Sequence, residues 1–164
     1  KSVTEFGCGD GAQLQSYQFS SYLGLDVSPK AVELCRSKFK ADGSKSFAVI
    51  VPHGPSTFSK ADLVICVEVL MHVTKEDDFV WTLSQIFASS NDFVVILNPL
   101  GGPDIKRRSL HEEPRNLFLY LVPHLEDFSI EQVIVHPSVS IEGRRAGLIG
   151  DMSSDFVVMR RRKR

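Results

Sequence analysis

Residues 5–11 read Glu-Phe-Gly-Cys-Gly-Asp-Gly, with three glycines at alternate positions. Glycine reaches φ > 0 without steric cost and lets another molecule come close to the backbone, but it loses more entropy on ordering than any other residue. Three in so short a stretch argue against a regular element and for a sharp loop. The apolar start 1–6 (KSVTEF) reads as a strand leading into that loop, and 12–18 (AQLQSYQ) as a brief helix leaving it. The backbone N–H groups of the loop, with the helix start after Gly11, make a polar cradle.

Downstream, strand and helix patterns alternate. Residues 22–28 read as a second strand. A helix is predicted over 28–40, with Ser28 as N-cap, Pro29 at the first helical position and Val32, Cys35 and Phe39 on one face. Residues 46–51 are a third strand, 52–60 a Pro/Gly/Ser-rich connection, and 61–69 a nearly all-apolar strand of the kind buried on both faces. Thr74 and Asp77 predict a capping box that opens a helix over 75–90, striped by Phe79, Leu83, Ile86 and Phe87. A buried strand at 92–99, a long polar loop at 100–115 and a short helix at 116–128 follow. Residues 129–141 and 153–161 close the chain as two strands. Alternation predicts a parallel sheet with helices on both faces, and the last two strands predict a hairpin. The expected fold class is α/β: a Rossmann-like, doubly wound, mostly parallel seven-stranded sheet with an antiparallel C-terminal edge hairpin. No domain boundary interrupts 1–164.

With 164 residues, 43% of them apolar, and a net charge of −1, the chain suits one core. No apolar run is long enough to span a membrane, and no secretory leader is visible. Cys8, Cys35 and Cys66 are odd in number and form no CxxC pair, and the histidines lack HxxxH spacing. Neither a disulfide framework nor a metal site is expected, and a cytoplasmic location fits. The tail 160–164 (RRRKR) leaves the rest of the chain acidic, without the basic, aromatic-interleaved face of a nucleic-acid binder. The tail suits a solvated end or an acidic partner.

The second strand ends in Asp26, 21 residues after Glu5. A carboxylate there can accept both hydroxyls of a ribose, so with the glycine loop it indicates a nucleoside-containing cofactor. Asp26 also stands where a residue could cap the next helix. Residues 7–12 satisfy the loose dinucleotide form GxGxxA. Glu5 and Asp10, however, would repel a pyrophosphate and attract a cation. S-adenosylmethionine carries a sulfonium and an ammonium beside its ribose and adenine.

Three segments, VTEFGCGDG, YLGLDVSPKAVELC and ADLVICVEVLMHV, together resemble the class I S-adenosylmethionine-dependent methyltransferases. The first is similar to that family's E/DxGxGxG motif, the second to its strand-2 acidic motif, the third to its strand-4 "VLxHV" segment. The resemblance covers about residues 1–100 in motifs and the remainder in architecture. It implies that Gly7, Gly9 and Gly11, with Glu5, Cys8 and Asp10, surround the methionine end. Asp26 would hold the ribose, Val27 would pack on adenine, and Glu68 would lie near the methionine amino group. His72 would sit at the methyl-transfer pocket, with His111 as a second candidate base. Many relatives have an acidic residue after strand 3, where this chain has PHGPS; a backbone group of His53 or Gly54 is expected in its place.

Plainer readings stay open beside these. Glu68 suits an ordinary strand-end charge, His72 a structural turn residue, and Cys8 small packing. Asn98-Pro99 follows strand 5, whereas the NPP motif of amino-methylating enzymes follows strand 4. Lys106, Arg107 and Arg108 could grip an anionic substrate or be solvated, and 142–153 could form a lid.

The reading that follows is a methyltransferase acting on a small molecule, with nucleic acid or protein as other acceptors. The rival is a non-catalytic module that binds cofactor or a partner. The resemblance implies helices that cover the cofactor upstream of β1; they are expected to be missing here, which would leave room for a partner chain over the site.

Overall fold

Strand β1 (Ser2–Phe6) enters the glycine loop, and a single 3-10 turn at Gln13–Ser16 leads to β2 (Ser21–Asp26). Helix α1 (Pro29–Lys38), β3 (Lys45–Val49), β4 (Ala61–Val67) and a 3-10 turn at Leu70–His72 follow. Then come α2 (Glu76–Ala88), β5 (Ser90–Pro99), α3 (Leu117–Leu121), β6 (Phe128–Ile134) and β7 (Ser154–Arg161). This computed structural model describes residues 1–54, 58–100, 110–113, 115–135 and 154–163. The Lys106–Arg108 trio and the 142–153 loop lie outside the described residues.

The seven strands form one sheet in the order β3-β2-β1-β4-β5-β7-β6. All neighbours are parallel except the β5/β7 and β6/β7 pairs, which are antiparallel. The expected α/β sheet with its antiparallel edge is therefore present. The chain reverses its direction of travel across the sheet between β1 and β4. At such a switch point the loops leaving the two strands diverge and open a crevice.

Local chemistry explains the helices. The Ser28 hydroxyl accepts from the Ala31 N–H at 3.3 Å, and Pro29 opens α1 where its missing N–H costs nothing. Helix α2 starts differently from the expected capping box. Lys75 is its N-cap and makes no side-chain cap bond; Glu76, Asp77 and Asp78 fill the first turn, where negative charge suits the helix dipole. At its other end the Arg161 guanidinium donates to the Phe87 and Ser90 carbonyls at 3.1 and 2.9 Å. Part of the basic tail thus serves as a cap. The expected helix at 12–18 is only a 3-10 turn because Leu14 alone is buried there. Helix α3 stops early, since Pro123 has no N–H to continue it.

One face of the sheet packs Val64, Cys66, Val94, Ile96, Val157 and Met159 against α2 and α3. The other packs Val3, Tyr22 and Phe47 against Val32 and Cys35 of α1. Strand β4 was expected to be buried on both faces, but Leu63, Ile65 and Val67 are only half-buried. With Val95, Phe156 and Leu14 of the 3-10 turn they line a groove of about 240 Å³. No helix among the described residues is long and apolar enough to cross a membrane.

Candidate active site

The loop after β1 lies across the end of β2. Gly7 and Cys8 both donate their N–H groups to the Leu25 carbonyl, at 2.7 and 3.0 Å. The next bond goes to a side chain: Gly9 N–H donates to Asp26 Oδ2 at 2.9 Å, and Ser28 N–H donates to Oδ1 at 2.8 Å. Each carboxylate oxygen keeps a further lone pair for another donor. Gly7 has φ +81°, and a Cβ on it would lie 2.1 Å from Val69 Cγ2, so no side chain fits. Gly9 has φ +54° and faces open space. Gly11 instead turns towards α1, where a Cβ would meet Phe39 at 2.7 Å.

Two cavities flank this loop and share Gly7. One, of about 220 Å³, is bordered by Asp26, Val27, Glu68 and His72. The other, of about 180 Å³, is bordered by Glu5, Cys8, Gly9 and Asp10. Together they reach the size of a small-molecule site, roughly 300–1,000 Å³. Val27 is 62% exposed, an apolar side chain presented to the first cavity rather than to the core. Glu68 leaves β4 with φ +57°, rare for a residue with a side chain, while its N–H donates to the Leu97 carbonyl at 2.8 Å. Such a conformation persists where its surroundings impose it, often beside a site.

Glu5 is mostly buried and accepts a hydrogen bond from the Tyr22 hydroxyl. Burial pushes its carboxyl above the usual range, and the Tyr22 bond offsets part of that. The Tyr22 hydroxyl is itself pushed up, by burial first and by the neighbouring Glu5 charge second. Cys8 and Cys66 are buried thiols raised by burial, which suits packing rather than nucleophilic attack.

His72 lies exposed on the 3-10 turn after β4, and its Nδ1 is 3.2 Å from the His111 carbonyl. A carbonyl only accepts, so Nδ1 donates here, and in the neutral ring Nε2 is then the acceptor. His111 therefore meets His72 through its backbone. Residues to which the sequence assigned no role at the site hold this junction together. Arg115 donates to the Val73 and Thr74 carbonyls at 2.7 and 2.8 Å and to Glu76 Oε2 at 2.8 Å, with its guanidinium 4.6 Å from the Phe79 ring centroid. The Tyr120 hydroxyl donates to Glu76 Oε1 at 2.6 Å; that bond, with Arg115, holds the Glu76 carboxyl below its usual range. Buried Asn98 accepts from Met71 N–H at 3.0 Å and donates to the Pro99 carbonyl at 2.9 Å, which fastens the His72 turn to the end of β5. Apart from Asn98 and the adjacent Pro99, the partners in these contacts lie 27 to 44 residues apart, beyond the reach of a three-residue spacing rule.

His53 sits after β3 at φ +58°, and its Nε2 lies 2.9 Å from Asp78 Oδ1 on α2. Its ring centroid is 5.6 Å from that of Trp81. His53 does not line either cavity; Pro52, Trp81 and Thr82 do. The structure thus gathers Glu5, the loop, Asp26, Val27, Glu68 and His72 around one crevice at the switch point, with His53 and His111 on its margins.

Comparison with known proteins bears on this site. Over 94 residues the chain is 31% identical to the mitochondrial ubiquinone biosynthesis O-methyltransferase of Schizosaccharomyces pombe, covering 52% of this chain and 33% of that protein. The chain therefore spans about a third of the length of that curated relative. The N-methyltransferase NodS of Bradyrhizobium japonicum WM9, crystallised with S-adenosyl-L-homocysteine, matches with a TM-score of 0.75 at 16% identity, over 99% of this chain and 79% of NodS. Magnesium protoporphyrin IX methyltransferase of Synechocystis PCC 6803, also with bound S-adenosylhomocysteine, matches with a TM-score of 0.66 at 16% identity, over 98% and 74% of the two chains. At that identity these two establish a shared fold. Residues 4–92, more than half of the chain, match the family described as a methyltransferase domain. That stretch contains the glycine loop, Asp26, Glu68 and His72, and on it the chain belongs to the methyltransferase-domain family.

Proposed function

We propose that this chain is the catalytic domain of a class I S-adenosylmethionine-dependent methyltransferase that acts on a small molecule. One observation carries the reading: Asp26 is tied to Gly9 at the switch point, between two cavities that meet at Gly7. The residues fit an adenosyl sulfonium. Asp26 has lone pairs left for ribose hydroxyls, and exposed Val27 offers an apolar platform for a base. Glu5 and Asp10 place negative charge beside the second cavity, which favours a cationic end and disfavours a pyrophosphate.

When bound, the cofactor supplies an electrophilic methyl group whose leaving group is a neutral thioether. The protein's main task is then alignment and exclusion of water, worth on the order of 7–11 kcal/mol when the geometry is near-attack. Gly7 and Gly9 admit the ligand against bare backbone, Asp26 and Val27 set its nucleoside end, and Glu5 attracts its positive end. His72 Nε2 can take the proton from an acceptor hydroxyl, since Nδ1 is committed to the His111 carbonyl. The O-methyltransferase relative and the acidic body of the chain support a small-molecule acceptor over nucleic acid.

A second reading, a non-catalytic module that leans on a partner, is favoured by the half-buried face of β4. Calorimetry with S-adenosylmethionine, S-adenosylhomocysteine and NAD, followed by transfer of labelled methyl to a pool of small phenols and amines, separates them. Binding of the first two with label transfer is expected. NAD binding alone would overturn the cofactor reading, and binding without transfer to any acceptor would favour the module.

A further inference from the structure

Two thiols lie beneath the glycine loop, and methyl transfer uses neither. Cys8 belongs to the loop and Cys35 to α1, and both are buried. The Cys35 thiol donates to the Gly9 carbonyl at 3.2 Å, and Cys8 Sγ stands 3.9 Å from the same oxygen. The two thiols are also hydrogen-bonded to each other. Glycine leaves the room they fill: a Cβ at position 11 would stand 3.0 Å from the Cys35 sulfur, and one at position 24 would stand 3.0 Å from the Cys8 sulfur. Cys66 is set apart, since it packs in the core on the opposite face of the sheet. Gly9 is the residue whose N–H is bonded to Asp26. One end of its backbone is thus tied to the tip of β2 and the other to the thiol pair.

We propose that Cys8 and Cys35 form a reversible thiol–disulfide switch that sets the glycine loop and, through it, the affinity for the cofactor. The inference rests on the adenosyl cofactor reading above. With a peroxide as oxidant the step balances. One sulfur attacks a peroxide oxygen, the O–O bond breaks, and a sulfenic acid forms. The other sulfur attacks that sulfenic sulfur, the S–O bond breaks, and the S–S bond forms. The two sulfurs give up two electrons, the peroxide takes them, and both thiol protons leave in two molecules of water. A small dithiol reverses the step by exchange and leaves as its own disulfide. Burial raises both thiols, so the closed loop shields them and reaction requires the loop to open. A bound cofactor opposes that opening, which directs oxidation to the empty protein. An S–S bond is much shorter than a thiol–thiol hydrogen bond, and it removes the proton that Cys35 donates to the Gly9 carbonyl. The loop must shift to accommodate both changes, and the bond between Gly9 and Asp26 shifts with it.

The experiment treats the reduced chain with hydrogen peroxide, maps its peptides by mass, and measures S-adenosylhomocysteine affinity by calorimetry before treatment, after it, and after dithiothreitol. The expected result is a link between positions 8 and 35 with Cys66 left free, an affinity lowered about 10-fold, and full recovery with the dithiol. S-adenosylhomocysteine added before the peroxide should slow the link. Cys35→Ser keeps a donor for the Gly9 carbonyl, so it should bind like the reduced wild type and ignore peroxide; a thermal melt checks its fold. A treated wild type with no link between 8 and 35 overturns the proposal, and that result needs no variant. So does a linked chain that binds as tightly as the reduced one. A reduced wild type that fails to bind S-adenosylhomocysteine at all overturns the cofactor reading itself, a distinct outcome.

Discussion

The N–H of Gly9 donates to Oδ2 of Asp26 at 2.9 Å, so the loop after β1 and the tip of β2 are joined by a charge-assisted bond. A carboxylate that both shapes the loop and retains lone pairs for a ribose predicts a graded response. Asp26→Asn can still accept one of the two backbone bonds and should stay folded, with S-adenosylhomocysteine affinity lowered roughly 10- to 100-fold. Asp26→Ala should lose more, because Gly9 and Ser28 are then both unpaired. Calorimetry beside a thermal melt checks this; unchanged affinity in both variants would remove Asp26 from the site.

Two glycines of the same loop should respond differently to alanine. At Gly7 the new Cβ would stand 2.1 Å from Val69 Cγ2, and φ is +81°. Gly7→Ala should destabilise by about 2–4 kcal/mol and abolish cofactor binding. At Gly9 the Cβ meets nothing within 4 Å, and only the strain of φ +54° is added. Gly9→Ala should cost about 1 kcal/mol in stability while weakening binding, since the methyl fills space that a ligand needs. Denaturant melts of both variants test the order.

Glu5 predicts a pH effect with a definite sign. Its folded pKa is raised above the ordinary 4.5, by burial first. A group raised on folding adds stability that is full below its unfolded pKa and lost as pH rises through its folded pKa. Glu5→Gln should therefore raise Tm at pH 7 by a few degrees, with the gain shrinking as pH falls towards 4.5. The same change should weaken S-adenosylmethionine binding by removing charge beside the second cavity. Melts of wild type and variant across that range would show it, and a gain that is independent of pH would contradict the assignment.

His72 and Arg115 should separate chemistry from binding. His72→Gln is expected to lower kcat about 100-fold for an acceptor that must lose a proton, with S-adenosylhomocysteine affinity unchanged. Arg115→Ala leaves the Val73 and Thr74 carbonyls and Glu76 Oε2 without their guanidinium donor, while Tyr120 still serves Glu76 Oε1, and should cost about 2–3 kcal/mol of stability. It should also lower kcat by loosening His72, again with little change in affinity. Single-turnover rates beside binding constants decide both cases.

The motifs and the strand–helix order were legible because they are local. A glycine loop, a Pro at a helix start and a strand-end carboxylate each act through their immediate neighbours. Helix starts were less legible. Thr74 looked like a capping residue, yet its carbonyl is bonded to Arg115 and α2 begins from Lys75. Arg115 and Tyr120 carried no signal, and Asn98 only a misplaced likeness to the NPP motif, since their roles exist only once the fold brings their partners to them.

By itself the sequence determined which strand tips would carry glycine and carboxylate, and so the kind of ligand for which the crevice is built. Only the tertiary structure decided how the crevice is walled: His53 turned to Asp78, His72 set by a distant carbonyl, and one face of β4 left half-covered. The physical reason is range. Backbone preference and burial pattern act over a few residues, whereas a hydrogen bond across the fold exists only once packing has fixed both of its ends.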